Sequence, residues 1–122
     1  MGNISSMEGL IRAPDLSDFG IKHAKANVAA SQTDSSVIAA VSGKKIRVLA
    51  FHCQAGATAT DLTFNSASTA KSPLFANAAN GGAVGNFNPA GWFETVSGEA
   101  LTVTTGAGSS TGITIVYAEV RT

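Results

Sequence analysis

The chain is poor in the side chains that catalysis and metal binding draw on. It has one cysteine, Cys53, and two histidines, His23 and His52, in 122 residues. A single thiol leaves no internal disulfide or thiolate cluster to be formed. Cys53 lies in an apolar run and reads as a small buried apolar residue. The two histidines make no His-x-His pair, so that common metal site is missing. No Gly-x-Ser-x-Gly turn presents a serine to either of them. Glu94 and Glu99 flank a turn and read as a solvated hairpin pair, not a glycosidase dyad. His23 reads as a surface residue and His52 as half-buried. The glycine-rich pieces Gly81-Gly82-Ala83-Val84-Gly85 and Gly106-Ala107-Gly108 join no strand to a helix. Neither is followed by Lys-Ser or Lys-Thr, so they read as turns and not as phosphate cradles. The expectation is a protein that is not an enzyme and carries no cofactor.

Charge is scarce as well. Charged residues make up 13% of the chain, with eight basic against eight acidic, where about a quarter is usual. Nothing here draws a phosphate backbone from a distance, and nucleic acid is not an expected partner. Between Val48 and Ala118 only Asp61, Lys71, Glu94 and Glu99 are charged. A free monomer usually keeps its surface soluble with interspersed charges, so this surface reads as covered by a partner. Ala, Ser, Thr and Gly supply 59 of the 122 residues. Such side chains bury little area each, and self-association would add to the buried total. No stretch approaches the length of a transmembrane helix and no charged-then-apolar leader opens the chain, so a membrane is not expected either. Met1 to Ser6 fits a loose myristoylation pattern and Asn3-Ile4-Ser5 a glycosylation sequon, both short enough to arise by chance.

What the chain does have is a succession of short β-like runs. Residues 1–21 read as an extended N-terminal arm, in which Ile4, Met7, Leu10, Ile11, Leu16 and Phe19 are dotted among Gly, Ser, Asp and Pro without a period. Residues 22–122 read as one domain. Lys25–Ala30 and Ser36–Val41 are the weakest strands, because their alanines also suit a helix. Lys45–Gln54 is the strongest, and its apolar residues on both faces predict a central strand covered twice. Further strands are expected at Leu62–Asn65, Pro73–Ala78, Ala83–Asn88, Trp92–Val96, Leu101–Thr104 and Ile113–Val120, parted by Gly, Pro, Asn and Ser. About eight strands with turn signals roughly every 8–12 residues predict an all-β fold, a single jelly-roll-like β-sandwich.

The densest cluster is Phe87-Asn88-Pro89-Ala90-Gly91-Trp92-Phe93. It holds three of the eight aromatic residues. Neighbours in a strand point to opposite faces, so one of Trp92 and Phe93 can enter the core while the other needs a second apolar environment. Phe87, Trp92 and Phe93 are therefore the candidate subunit interface.

The segment from Ser42 to Val120 resembles the phage capsid decoration, or cement, proteins. The resemblance rests on Val41-Ser42-Gly43-Lys44-Lys45-Ile46-Arg47-Val48-Leu49, on Asn88-Pro89-Ala90-Gly91-Trp92-Phe93-Glu94-Thr95, on Ser97-Gly98-Glu99-Ala100-Leu101 and on the closing strand from Gly112. It implies a jelly-roll virion protein on the outer capsid surface, a homotrimer that clamps neighbouring copies of the major capsid protein. Under it, residues 1–21 become a capsid-binding arm. The alternative is a phage fibre or tail module that binds a host glycan.

Overall fold

β-branched residues recur at alternate positions through the second half of the chain, and such side chains suit a pleated, half-buried surface. The computed structural model describes residues 20–121. They form β1 (Ile21–Val28), β2 (Ser35–Ile38), β3 (Lys44–Ala55), β4 (Thr60–Ser66), β5 (Thr69–Ala70), β6 (Phe75–Asn77), β7 (Gly82–Gly85), β8 (Phe93–Glu94), β9 (Leu101–Thr105) and β10 (Thr111–Arg121). No helix occurs among the described residues. The alanine-rich stretch that suits a helix is strand, interrupted by Ser31 and Asp34 in left-handed conformations. β1 begins at Ile21, the last residue of the expected arm. The short pair β4–β5 was not anticipated, and β7 and β8 are shorter than their predicted runs.

The strands make two antiparallel sheets. The first runs β1-β10-β3-β7, with β8 also on β3; the second runs β2-β9-β4-β5, with β6 also on β4. Their inner faces pack together as a β-sandwich. Val28, Ile46, Val48, Phe51, Cys53, Ile113 and Ile115 of the first sheet meet Ile38, Leu62, Phe64, Leu101 and Val103 of the second.

The prediction that β3 is covered on both faces needs correcting. β3 is central in its sheet, but its outward side carries exposed His52 and Gln54. The apolar residues on both parities have another cause. Val116 pairs with Ala50 while Tyr117 pairs with Val48, so Leu49 is an extra residue in a β-bulge. Inward positions are Ile46 and Val48 before it, then Phe51, Cys53 and Ala55 after it. A bulge shifts the alternation by one, so counting straight through places half of the inner face outside.

Phe51 is the node of the core. Its ring centroid lies 5.4 Å from Phe64, 5.5 Å from Phe75, 5.7 Å from Trp92 and 6.1 Å from Phe93. Edge-to-face and tilted pairs at such distances are favourable beyond the area they bury. The ring has room because its partner across the ladder is Gly85. A Cβ there would run into the Phe51 ring, and one at Gly82 into the Cys53 carbonyl.

Buried hydroxyls do much of the remaining work. Thr105 Oγ1 donates to the Ala29 carbonyl at 2.7 Å and accepts from the Gln32 amide at 2.9 Å, which ties the β1–β2 connection to β9. Thr95 Oγ1 accepts the Ile46 amide at 2.9 Å. Thr102 Oγ1 donates to the Ala67 carbonyl at 2.6 Å. Asn65 Nδ2 donates to Asp34 Oδ1 at 3.1 Å and Thr104 Oγ1 at 3.0 Å. A buried loop group left unpaired would cost about 1–3 kcal/mol. These residues are small but hold the connections that the apolar core does not reach.

Phe51→Ala should lower stability by about 3–5 kcal/mol, as removal of a fully packed ring does. Gly85→Ala should cost about 1–3 kcal/mol by overpacking against the same ring. Urea unfolding followed by circular dichroism measures both.

Candidate functional site

The cluster from Phe87 to Phe93 spans the gap between β7 and β8. After Gly85 the chain leaves the edge of β3 and regains it at Phe93. The loop is pinned where β3 bulges. The Asn88 amide donates to the Leu49 carbonyl at 2.8 Å, and the Trp92 amide to the Val48 carbonyl at 2.8 Å. Within the loop, Ala90 N–H donates to Asn88 Oδ1 at 3.0 Å and Gly91 N–H to the Asn88 carbonyl at 2.9 Å. The indole Nε1 of Trp92 donates to the Asn86 carbonyl at 2.7 Å, which closes the loop across its own ends. The indole thus has a fixed orientation, edge-to-face on Phe51 at 83°.

The two neighbouring aromatics divide as strand geometry requires. Phe93 turns inward, tilted against Phe64 at 5.2 Å. Trp92 stays at the rim, 48% exposed, and Phe87 is 53% exposed. Val84 at 66% and Leu74 at 61% join them on the surface. A hollow of about 240 Å³ lies between Trp92, Val84, Pro73, Phe75 and Lys71. A second, of about 280 Å³, lies between Val84, Phe87, Ala50, Val116 and His52. Val84 borders both, so the two form one apolar strip along the β7–β8 edge and onto the outward face of the first sheet. Lys71 is the single charged residue along the two hollows.

Of the candidate interface residues, Phe87 and Trp92 are exposed on this strip, while Phe93 is half-buried, packed against the core and lining the inner side of the hollow beside Trp92. The arm residues Ile4, Met7, Leu10, Ile11, Leu16 and Phe19 lie outside the described residues. Val84 and Leu74 were missed. Val84 falls both in a glycine-rich piece read as a turn and in the strand expected at Ala83–Asn88, and neither reading gives it a face. Its pairing with His52 would have placed it on the outward face.

The polar candidates disperse. His52 is exposed rather than half-buried, and His23 is exposed. Glu99 accepts a hydrogen bond from Ser66 Oγ at 2.6 Å, while Glu94 faces the Arg47 guanidinium at 3.6 Å. They are engaged with different partners and do not act as a hairpin pair. No group of three His, Cys, Asp or Glu side chains gathers among the described residues. Cys53 is fully buried, with Asn77 Nδ2 at 3.8 Å from its sulfur. Burial pushes its thiol above the ordinary value, outweighing the hydrogen bonds from Ala83 and Asn77 that act the other way.

Comparison of the chain with protein families, with curated proteins and with solved structures finds no match.

Phe87→Ser and Val84→Ser should each change stability by no more than about 0.5 kcal/mol, since exposed residues carry little of it, while visibly reducing binding of a hydrophobic dye. A thiol reagent at neutral pH should modify Cys53 only as fast as the protein opens. Burial and a raised pKa both keep the reactive thiolate rare. Adding urea should release the reaction, and the rate of colour development reports it.

Proposed function

We propose that this protein is a phage capsid decoration protein. It binds the outer surface of the head as a homotrimer and stabilises contacts between neighbouring major capsid subunits. The observation that carries this reading is the apolar strip of Val84, Phe87 and Trp92 on a body with almost no charge near it. Monomeric proteins rarely leave such a surface in water without a partner. Rigid aromatic anchors with little competing charge are what a protein interface uses at its centre. Repetition on a lattice then turns modest contacts into tight binding.

The strand order supports a jelly roll as the finer fold. With the two-residue strands β5 and β8 set aside, the sheets read β1-β10-β3-β7 and β2-β9-β4-β6. The chain passes back and forth between sheets, and the last strands return between the first ones. That is how an eight-stranded double Greek key wraps. The segment before β1, with its dispersed Ile4, Met7, Leu10, Ile11, Leu16 and Phe19, completes the reading as a capsid-gripping arm.

A glycan-binding fibre or tail module is the second reading. The exposed indole beside Lys71 and Ser72 favours it. It has less support, because no carboxylate lines that hollow to receive sugar hydroxyls.

Added to undecorated heads, the protein should bind and raise their resistance to heat. Trp92→Ala or Phe87→Asp should weaken binding by about 2 kcal/mol, roughly thirtyfold in Kd, as loss of an interface anchor does. Deleting residues 1–19 should weaken it too while preserving the β-type circular dichroism. Normal binding by all three variants would overturn the reading. Retention on a glycan array, lost with Trp92→Ala, would favour the second. Mass in solution tests the trimer.

A further inference from the structure

Gly112 stands on the outward face of the first sheet, in the row Asn27, Gly112, Gln54 across β1, β10 and β3. Glycine inside a strand weakens it, and it often marks a place where another group approaches closely. Nothing within the described chain requires it here. Gly82 and Gly85 have no room for a Cβ, whereas a Cβ at Gly112 would meet only Asn27 Oδ1, at an ordinary 3.5 Å. Nor is the Gly112 backbone left-handed. What the missing side chain helps to make is a hollow of about 450 Å³ over β10. Asn27 and Gln54 flank it in that row, and in the next row Lys25 and His52 stand on either side of Thr114. All five of these side chains are exposed. The hollow carries a lysine, and no carboxylate lines it among the described residues. Neither Lys25 nor His52 has an ion-pair partner among those residues. At its rim Gln54 Nε2 donates to the Asn80 carbonyl at 3.2 Å, which leaves Gln54 Oε1 as an acceptor.

We propose that this hollow binds an extended acidic segment of a partner protein, laid along β10 with its backbone over Gly112 and a carboxylate at Lys25. Side-chain amides offer both a donor and an acceptor, as a peptide group does. Asn27 and Gln54 therefore bracket the segment's backbone at the point where glycine lets it come close. The two rows lie two residues apart, about 6.8 Å along the strand, a step that an extended residue and its Asp or Glu side chain together span. At the second row Lys25 supplies the charge, and the His52 ring supplies an N–H. Other ligands fit less well. Phosphate recognition favours the paired N–H fork of arginine, and Lys25 is the one Lys or Arg lining the hollow. A sugar ring packs its C–H face on an aromatic one, and no Phe, Tyr or Trp lines the hollow. His52 also borders the hollow of Val84 and Phe87. The bound segment lies beside the apolar strip and leaves it open. This inference does not rest on the capsid reading, and its test uses no capsid.

The test titrates the full chain with a capped tetraglutamate peptide and follows backbone amide resonances. Asn27, His52, Gly112 and Thr114 should move and saturate. Lys25→Gln should weaken the binding by about tenfold in Kd, as loss of one charge-assisted contact does. Gly112→Val, which fills the floor of the hollow, should abolish it. Both variants should keep the β-type circular dichroism, and Lys71→Gln, which removes a lysine of the apolar strip, should bind like the wild type. Several results would overturn the proposal. One is no saturable movement with the peptide, and another is wild-type affinity in Gly112→Val. A third is equal movement with capped tetraglutamine, which would remove the carboxylate from the argument. Inorganic phosphate or galacturonate binding as tightly as the peptide would make the hollow a site for small anions or acidic sugars instead. Movement of the same resonances on dilution without any peptide would place a second copy of the chain there.

Discussion

The Phe51 ring touches four other aromatic rings, drawn from both sheets and from the loop between β7 and β8. Much of the architecture can be read as what that arrangement requires. Phe64 and Phe75 bring the second sheet against it. Gly85 must lack a side chain because the ring occupies that space. The bulge at Leu49 is what turns Phe51 inward in phase with Cys53 and Ala55. Trp92 rests on the outer edge of the same cluster, so the exposed strip is continuous with the core. A loop anchored this way holds its surface residues on a rigid support rather than on a mobile tip.

Around this node the small residues have a role that composition alone does not convey. Read as totals, the many threonines and serines mean a weak core. In place, Thr60, Thr95, Thr102, Thr105 and Thr111 are buried, and most of them hold a connection by a hydrogen bond. Thr60 Oγ1 accepts from the Ser109 amide at 2.9 Å and so ties the β9–β10 loop to β4. The sandwich combines a compact aromatic–aliphatic centre with hydroxyl-bonded margins. Charged groups sit mostly toward one end, where Glu119 meets Lys22 at 3.2 Å and Lys44 at 4.0 Å.

Sequence reasoning reaches the all-β class because strand alternation and turn residues are local signals. It places β4, β9 and β10 to within a few residues for the same reason. It goes astray at β3, because a bulge is an event between two strands and leaves no mark in one strand's own pattern. It misses β5, whose two residues depend on pairing with Asn65 and Ser66. At the site, the split between Trp92 and Phe93 follows from strand geometry, and the aromatic density marks the right loop. Val84 and Leu74 stay hidden because their exposure depends on which strands end early beside them. The dispersal of Glu94 and Glu99 is likewise tertiary, set by Arg47 and Ser66 from β3 and β4.

The bulge at Leu49 also affects the shape of the outward face. A bulge bends its strand and deepens the local twist. The part of the first sheet that carries Lys45 and Arg47 therefore does not lie in one plane with the part that carries His52 and Val84. The sheet thus offers an adjoining body a face bent at Leu49, with Lys45 and Arg47 on one side of the bend and Val84 on the other. A flat partner would touch one side of the bend and leave the other wet, so a body that seats on the Val84 side need not meet Lys45 and Arg47 at all.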